Sequence, residues 1–240
     1  MRDLLTLEGV HTHIAQYHIL QGVDLTVPEG GVAVMLGRNG AGKTTTLRTI
    51  MGLWGASAGT IRFDGTDITR LDTPAIARLG IAYVPENMGI FTDLTVRENM
   101  ILAATGGAME SARLDWIFAL FPPLKTFWDK QAGNLSGGQK QMLSVARAVI
   151  EPRRLILIDE PTKGLAPAII KSMTAALAEL AKTDTTILLV EQNFAMARSL
   201  GQTVSVMDDG RIVHSGDMAA LAADAGLQEK LMGLSLEAHQ

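Results

Sequence analysis

The sequence predicts an α/β fold built around buried strands. Three short apolar runs, at 31–36, 155–158 and 186–190, have the composition of strands that are buried on both faces. Segments with helical patterns alternate with such runs, which favours an α/β architecture over an all-helical or all-β one. The chain has 240 residues, of which 47% are hydrophobic, so we expect a single domain over 1–240 with a full core.

The first half of the chain is predicted to contain strands of two kinds. Residues 22–28 alternate apolar and polar side chains, as an antiparallel strand with one face in water does. After a turn at 28–30, the run at 31–36 leads into a glycine-rich loop, and a helix begins at about Lys43. Further strands are predicted at 60–63 and 66–68, which form a hairpin around Asp64-Gly65, and at 81–84.

The stretch 87–150 differs in character from the rest of the chain. Strong strand signals are lost there, so we expect a helical subdomain at 87–150, inserted between strands. Its predicted helices lie at 95–103, at 110–119 and in a long segment after Gly138. Towards the end of the chain, strands at 203–207 and 211–214 are predicted to form a hairpin through Asp208-Asp209-Gly210, followed by short helices.

Charge and composition exclude several classes of function. The formal net charge is −4, and the longest basic cluster is the pair Arg153–Arg154. Nucleic acid is therefore not expected as a partner, because proteins that bind its backbone present a basic face. The absence of cysteine excludes disulfides and thiolate metal sites. No apolar run approaches the roughly 18–20 residues that span a bilayer, so a role at a membrane requires partner proteins.

The first chemical motif is a glycine-rich loop between a buried strand and a helix. It reads Gly37-Arg38-Asn39-Gly40-Ala41-Gly42-Lys43-Thr44 and matches the P-loop pattern G-x-x-x-x-G-K-[ST]. Such glycines allow backbone N–H groups to surround phosphate oxygens at the positive end of a helix. We expect Lys43 to bridge the β- and γ-phosphates and the Thr44 hydroxyl to ligate Mg²⁺, with Thr45 beside them. The alternative, a plain turn with a surface lysine, is disfavoured by the strand–loop–helix context.

The second motif is an apolar strand that ends in two acids, at 155–160. The carboxyl end of a buried parallel strand delivers its side chains into the crevice where such sheets bind ligands. Asp159 is predicted to hold Mg²⁺ through water, and Glu160 to polarise the attacking water as a general base. Taken alone, the pattern is equally compatible with a strand that ends in solvated charges, and the upstream P-loop favours the catalytic interpretation.

The third motif, Leu135-Ser136-Gly137-Gly138-Gln139, opens a helix. A serine and two glycines at a helix N-terminus form a second anion-binding surface, made of a hydroxyl, exposed N–H groups and the helix dipole. Taken alone, this motif favours a simple capped helix start. A protein with one P-loop has no obvious need for a second phosphate site, so the presence of both motifs in one chain is itself informative.

In this order, GRNGAGKT, LSGGQ and LILIDEPT resemble the Walker A, signature and Walker B motifs of ABC ATPases. The resemblance covers essentially the whole chain and implies a P-loop NTPase fold, with a RecA-like core, an antiparallel β subdomain and an inserted helical subdomain. In that family two nucleotide-binding domains meet head to tail, and ATP with Mg²⁺ lies between the P-loop of one and the signature motif of the other. The resemblance therefore assigns Ser136, Gly137, Gly138 and Gln139 to a nucleotide held by a partner chain.

Three positions depart from the common pattern of the family. Glu86 stands where a glutamine is usual, Ala166 where an aspartate is usual, and Gln192 where a histidine is expected. Glu86 can still bind Mg²⁺ or water, while Gln192 can donate a hydrogen bond to the γ-phosphate but carries no titratable charge. The predicted catalytic residues are Glu160, Gln192 and Lys43, and the predicted metal-binding residues are Thr44, Glu86 and Asp159.

The segments VPE, GLAP and VEQN make the chain similar to the ATPases of the branched-chain amino-acid uptake family. This similarity implies an ATP-hydrolysing importer subunit, peripheral on the cytoplasmic face of the inner membrane. It also implies partners: two membrane permease subunits, a second, unlike ABC ATPase subunit or a second copy of this chain, and indirectly a periplasmic binding protein. Urea, short amides and aromatic acids stay open as cargoes. Permease coupling helices dock at 88–100 in this family, with ordinary packing as the alternative for that segment.

Recognition of the adenine base leaves several residues open. The family stacks an aromatic side chain from the N-terminal region on the base, and the best register places Ile14 there. His13 or Tyr17 could take this place, or Ile14 could give apolar contact only.

Two other functions are weighed against an importer ATPase. A non-transport ABC ATPase acting in DNA repair or translation typically carries long coiled coils or two cassettes in one chain, and this sequence has neither. A small-molecule kinase would share the P-loop, and the LSGGQ segment argues against it.

Overall fold

The computed structural model describes residues 2–232, so Met1 and the last eight residues of the predicted 1–240 domain lie outside it. The strands are β1 (Asp3–Ile14), β2 (Tyr17–Pro28), β3 (Val32–Gly37), β4 (Ala56–Phe63), β5 (Thr66–Asp67), β6 (Ile81–Val84), β7 (Leu155–Asp159), β8 (Thr186–Val190), β9 (Thr203–Asp208) and β10 (Arg211–Asp217). The α-helices are α1 (Lys43–Ile50), α2 (Thr73–Arg78), α3 (Val96–Ala103), α4 (Ser111–Leu120), α5 (Pro122–Thr126), α6 (Gly137–Ala148), α7 (Pro167–Leu180), α8 (Phe194–Leu200), α9 (Met218–Ala223) and α10 (Ala225–Met232).

The larger sheet has the strand order β10-β9-β3-β8-β7-β6. Every neighbouring pair from β9 to β6 is parallel, and β10 pairs antiparallel with β9. The carboxyl ends of parallel strands meet at one edge of a sheet, which is where open α/β sheets bind ligands. This topology therefore brings the segments that follow β3, β6, β7 and β8 to the same edge.

Strand alternation divides the interior into two cores, one on each face of the larger sheet. In β3, Val34 and Leu36 belong to one core, while Ala33 and Met35 belong to the other. The strands β7 and β8 divide in the same way, and their described residues are buried throughout. This burial on both faces explains why these strands read as continuous apolar runs in the sequence.

The smaller sheet is antiparallel in its described pairings, in the order β2-β1-β4-β5. The predicted strand at 22–28 is its alternating half, with Val23, Leu25 and Val27 buried and the residues between them exposed. The strand starts earlier than predicted, at Tyr17, and its pairing with β1 contains register shifts. Because Thr12 pairs with Leu20 and the next residue pairs with His18, Ile19 is an extra residue in β2. Such interruptions obscure the alternation from which a strand is predicted.

The helices between β6 and β7 agree with the predicted positions 95–103 and 110–119 and with a long helix after Gly138. The helix α3 begins with a capping box, in which Thr95 and Glu98 exchange side-chain and backbone hydrogen bonds. The buried amide of Asn99 holds the preceding loop by accepting from the N–H of Phe91 and donating to its carbonyl, both at 2.9 Å. These helices share one core with a face of the larger sheet, and the bounds 87–150 of a helical subdomain stay a prediction.

Several elements were not predicted from the sequence, namely β1, α2, α5, α7 and α8. The helix α7 begins at Pro167, the first position of a helix that proline favours, directly after a segment interpreted only as a motif. In the part of the chain that the structure describes, no helix has both the length and the apolar character needed to cross a membrane.

Candidate active site

A tight loop at 37–44 joins β3 to α1 and forms one wall of the site. The ammonium of Lys43, the first residue of α1, donates hydrogen bonds to the carbonyls of Gly37 at 2.8 Å and Arg38 at 3.0 Å. Only 4% of the Lys43 side chain is exposed. The loop therefore holds a positive charge inside itself, with its own carbonyl oxygens as partners.

Two glycines of the loop occupy positions that disfavour any larger residue. A Cβ on Gly37 would lie 2.3 Å from the carbonyl oxygen of Met207 in the adjacent strand β9. Gly42 has a φ of 108° and is the N-cap of α1, to which it offers no side-chain hydrogen bond. Because the first N–H groups of α1 receive no capping side chain, this helix end is built to accept an anion.

A cavity of about 300 Å³ lies over this loop. Its lining combines two loop glycines, the first residues of α1, two lysines and two glutamates, a composition suited to a polyphosphate with a bound cation. The lining residues are Ile19, Asn39, Gly40, Gly42, Lys43, Thr44, Thr45, Glu86, Glu160 and Lys163. Six of the nine predicted P-loop residues thus share one cavity with the two predicted glutamates, whereas Gly37, Arg38 and Ala41 are not part of its lining. Ile19 and Lys163 were not predicted.

The carboxylate of Asp159 ends β7 and is fully buried. It accepts hydrogen bonds from the hydroxyls of Thr44 at 3.2 Å and Tyr83 at 3.3 Å. Burial raises the pKa of Asp159, and burial together with the Asp159 charge raises the pKa of Tyr83 to about 12. A buried carboxylate whose ionised form is disfavoured gains stability when it binds a divalent cation.

The side-chain oxygens near Asp159 are suited to a magnesium ion that also binds phosphate and water. Among the described residues there is no group of three or more His, Asp or Glu side chains placed to hold a metal alone. The Thr44 hydroxyl and the Asp159 carboxylate already lie together, and Mg²⁺ prefers few protein ligands besides water and phosphate oxygens.

The carboxylate of Glu160 occupies the centre of the site. Its backbone is in the left-handed region, with a φ of 46°, and its N–H donates to the carbonyl of Val190 in β8 at 2.9 Å. Its side chain is 8% exposed, and Oε1 lies 3.6 Å from the ammonium of Lys43. A non-glycine residue with this φ costs about 1–3 kcal/mol and is found mainly at functional sites.

The amide of Gln192 links the loop at 37–44 to Glu160. Its Nε2 donates to Oδ1 of Asn39 and to Oε1 of Glu160, both at 2.6 Å. An amide nitrogen carries two hydrogens, so both contacts form at the same time. The segment after β8 is thereby connected to the loop after β3 and to the acid after β7.

The neighbouring Glu191 is a buried carboxylate, with 2% of its surface exposed, that sequence reasoning missed. Its Oε1 accepts from the hydroxyl and the N–H of Thr162, at 2.6 Å and 3.2 Å. Its Oε2 accepts from the N–H groups of Gln192 and Asn193, at 3.0 Å and 3.1 Å. Four donors from two loops thus converge on one acid, which holds Gln192 in place. The sequence signal for Glu191 is the apolar run at 186–190 that it directly follows, the same arrangement that precedes Glu160.

Replacing Glu191 with glutamine is expected to lower the free energy of unfolding by about 1–3 kcal/mol, measured by urea denaturation. The introduced amide carries hydrogens on one side, so in either orientation it meets a backbone N–H donor, that of Thr162 or those of Gln192 and Asn193. Two donors then point at each other in a buried place, and their hydrogen bonds are lost.

The matched control for this prediction is Glu179→Gln on α7. Glu179 also loses a contact, with Lys182 at 2.6 Å, but both side chains are largely exposed. The control is expected to change the free energy of unfolding by less than about 0.5 kcal/mol. Equal stability of the two variants would show that Glu191 is not held as described.

The signature segment lies outside the cavity that the described residues form. Ser136 is exposed and is the N-cap of α6, where its hydroxyl accepts from Gln139 N–H at 3.4 Å and its own N–H donates to Gln139 Oε1 at 2.9 Å. Gly137 is also exposed, whereas Gly138 is buried, and a Cβ on it would lie 2.5 Å from a methyl carbon of Ile169. This helix end is therefore accessible from outside the chain and is not one of the groups that line its own cavity.

Other predicted residues take different places around the loop. Arg38 is exposed, and Ala41 is buried and accepts from the N–H of Gly210 at 2.9 Å. Ile14 ends β1 and pairs with Tyr17, away from the described cavity lining. Ile19, the extra residue of β2, is the side chain from this hairpin that lines the cavity. Stacking of adenine at Ile14 stays a prediction, and Ile19 was missed because bulge positions leave no sequence pattern.

Glu86 and Lys163 form an ion pair at the rim of the cavity. The ammonium of Lys163 lies 2.6 Å from Oε1 of Glu86 and 3.4 Å from Oε2 of Glu160. The hydrogen bond to Glu86, followed by the Glu160 charge, raises the pKa of Lys163. The role of Glu86 in metal binding stays a prediction, since here its carboxylate is paired with a lysine.

Comparison with known proteins identifies the family of the chain. A family model described as ABC transporter matches residues 20–163, which include the loop at 37–44, the signature segment and the end of β7. The high-affinity branched-chain amino acid transport ATP-binding protein BraG of Pseudomonas aeruginosa is 35% identical over 232 residues, covering 96% of this chain and 100% of the relative. The chain belongs to the ABC transporter family.

Two further similarities agree with this identification of an ABC ATPase. The probable branched-chain amino acid transport ATP-binding protein LivF of Archaeoglobus fulgidus is 33% identical, covering 91% of this chain and 94% of the relative. A solved ATP-binding subunit of an ABC transporter is 28% identical with a TM-score of 0.80, covering 98% of this chain and 96% of that one. The resemblance to ABC ATPases, and the P-loop NTPase fold expected from it, are thereby confirmed.

Proposed function

We propose that this ABC ATPase hydrolyses ATP to ADP and phosphate in a Mg²⁺-dependent reaction, and that it thereby energises an importer. The observation that carries the proposal is the contact between Lys43 and Glu160, two buried charges 3.6 Å apart in the lining of one cavity. Phosphoryl transfer requires positioning and charge neutralisation more than covalent chemistry. These two residues supply a cation for the phosphates and an acceptor for a proton of water.

The loop at 37–44 would hold the phosphates. Gly40, Gly42 and the first residues of α1 line the cavity, and no side chain caps this helix end, so their N–H groups would donate to phosphate oxygens. Lys43 would exchange its hydrogen bonds to the loop carbonyls for contacts with the β- and γ-phosphates. Thr44 and Asp159 would hold Mg²⁺, which when bound would neutralise part of the phosphate charge.

Glu160 would act as the general base. The hydrogen bond from Gln192 orients its Oε1, and the same amide contacts Asn39 of the phosphate loop. Gln192 would give up one of its two contacts, and the N–H released in this way would donate to the γ-phosphate. Glu160 then accepts a proton as the water oxygen bonds to the γ-phosphorus and the bond to the bridging oxygen of ADP breaks.

A second chain would complete the site. Ser136 and Gly137 are exposed at the N-terminus of α6 and do not line this chain's own cavity. A helix end of this kind binds an anion that approaches from outside, as a nucleotide on a facing subunit does. We propose that Ser136, Gly137, Gly138 and Gln139 contact the γ-phosphate bound to that subunit, which is either an unlike ABC ATPase or a second copy of this chain.

The transported solute is proposed to be a branched-chain amino acid or a related small polar molecule. The names of BraG and LivF support this cargo, and urea, short amides or aromatic acids are the other candidates. The partners would be two membrane permeases, on whose cytoplasmic face the ATPase binds, and indirectly a periplasmic binding protein. Purifying the transporter complex with its binding protein and titrating that protein with each class of solute decides between the cargoes.

A groove beside the site supports docking of the permeases at 88–100. A cavity of about 350 Å³ is lined by Met88 and Gly89 from this segment and by Tyr83, Ser144 and Arg147. It connects the end of β6 with α6, so a helix bound there would contact both the strand that precedes Glu86 and the helix that carries the signature segment.

The proposed function predicts phosphate release that depends on both ATP and magnesium. The purified chain is expected to release phosphate from ATP in the presence of Mg²⁺, without any phosphorylated acceptor, and to lose this activity when EDTA removes the ion. A phosphorylated acceptor would identify a kinase instead. Unchanged release in EDTA would contradict the assignment of Thr44 and Asp159 to a metal.

A further inference from the structure

Lys163 joins two carboxylates that come from different segments of the chain. Glu86 follows β6 and Glu160 follows β7, and the Lys163 ammonium lies 2.6 Å from the first and 3.4 Å from the second. All three residues line the cavity over the phosphate loop. The contact is therefore part of the cavity wall and not a distant surface pair.

The carboxylates around this cavity require a second positive charge besides that of Lys43. Two carboxylates, Glu86 and Glu160, line the place where phosphates would bind, and a third, Asp159, is buried behind Thr44 of the same wall. Lys43 already donates to two loop carbonyls and lies 3.6 Å from Glu160, whereas the described ion pair of Glu86 is with Lys163. An uncompensated carboxylate beside a polyphosphate costs Coulomb energy, which grows as water is excluded.

We propose that Lys163 is a positioning residue for nucleotide binding: it neutralises Glu86 and holds it at the cavity rim, so that the phosphates of ATP are tolerated beside this carboxylate. The inference rests on the proposed function, because it concerns the same cavity. It adds to that function a role for Lys163, and this role depends on the charge of Glu86.

The test is a double-mutant cycle on Lys163 and Glu86, with KM and kcat for ATP measured at constant Mg²⁺. Lys163→Gln is expected to raise KM about tenfold, because the Glu86 charge is left uncompensated. Glu86→Gln removes that charge and provides the KM with which the double variant is compared. In the double variant, KM is expected to return to within about threefold of the Glu86→Gln value.

Two further variants separate a charge effect from a structural one. Lys163→Arg keeps the positive charge and is expected to retain a KM within about threefold of the unmodified chain. The thermal midpoint of Lys163→Gln should stay unchanged, since 53% of the Lys163 side chain is exposed. The KM increase should also shrink as salt is added, because exposed charges are screened.

The matched control is Lys182→Gln. Lys182 follows the end of α7 and pairs with the exposed Glu179 at the same 2.6 Å distance, and its loss should leave KM unchanged. Additive effects of the two single substitutions, or a KM increase in Lys163→Arg as large as in Lys163→Gln, would overturn the inference. If the unmodified chain hydrolyses ATP and Lys163→Gln behaves like it, the inference alone fails. If the unmodified chain hydrolyses no ATP, the proposed function fails.

Discussion

Replacing Glu160 with glutamine is expected to lower the rate of ATP hydrolysis by about 10²–10⁴-fold, the usual contribution of a general base. The change removes the proton acceptor and keeps the shape of the side chain. Its amide oxygen can still accept the 2.6 Å hydrogen bond from Gln192, so the link to Asn39 survives. The measurement is phosphate release at saturating ATP and Mg²⁺.

Binding of ATP should survive in the same variant. The phosphate-facing groups of the loop at 37–44 do not depend on Glu160, and Lys43 loses one ion pair but keeps its hydrogen bonds to Gly37 and Arg38 until the phosphates arrive. Titration calorimetry is expected to give a dissociation constant within about threefold of the unmodified chain. Glu179→Gln on the exposed face of α7 serves as the control for hydrolysis. Near-normal turnover in Glu160→Gln would remove the assignment of the base.

Replacing Ser136 with aspartate is expected to reduce hydrolysis by about 10²-fold or more, while the chain folds normally and binds ATP at its own loop. Aspartate is as good an N-cap as serine, so the start of α6 is preserved. The new carboxylate lies at an exposed helix end that we propose faces the γ-phosphate of a neighbouring subunit, where it repels that phosphate. Hydrolysis is measured beside the thermal midpoint, which should not change.

A mixing experiment shows whether this effect acts between chains. A Lys43→Ala variant has a defective phosphate loop and an intact signature segment, and Ser136→Asp has the reverse. If two copies of this chain form the working pair, mixing the variants restores one complete site in each mixed dimer, so activity appears that neither variant has alone. Hydrolysis by the unmodified chain should also rise more steeply than its concentration. Full activity of Ser136→Asp at high dilution would contradict a site shared between subunits.

The amino-acid sequence predicted the parts of the structure that depend on local pattern. The continuous apolar runs at 31–36, 155–158 and 186–190 became β3, β7 and β8, because strands buried on both faces contain few polar residues. The P-loop spacing located the loop before α1, since few sequences let a backbone approach phosphate and then begin a helix. The order of the three motifs was enough to indicate the family, which the comparisons confirm.

Contacts between loops far apart in the chain were decided only by the tertiary structure. Lys163 meets Glu86 across 77 positions, and Gln192 meets Asn39 across 153, because the parallel order of β6, β7, β8 and β3 brings their carboxyl ends to one edge. A register shift in β2 makes Ile19 the side chain from the first hairpin that lines the cavity. Sequence periodicity records which face of a strand is buried, but not which side chains of separate loops come within reach of each other. That depends on strand order, register and bulges, which form when the sheets assemble.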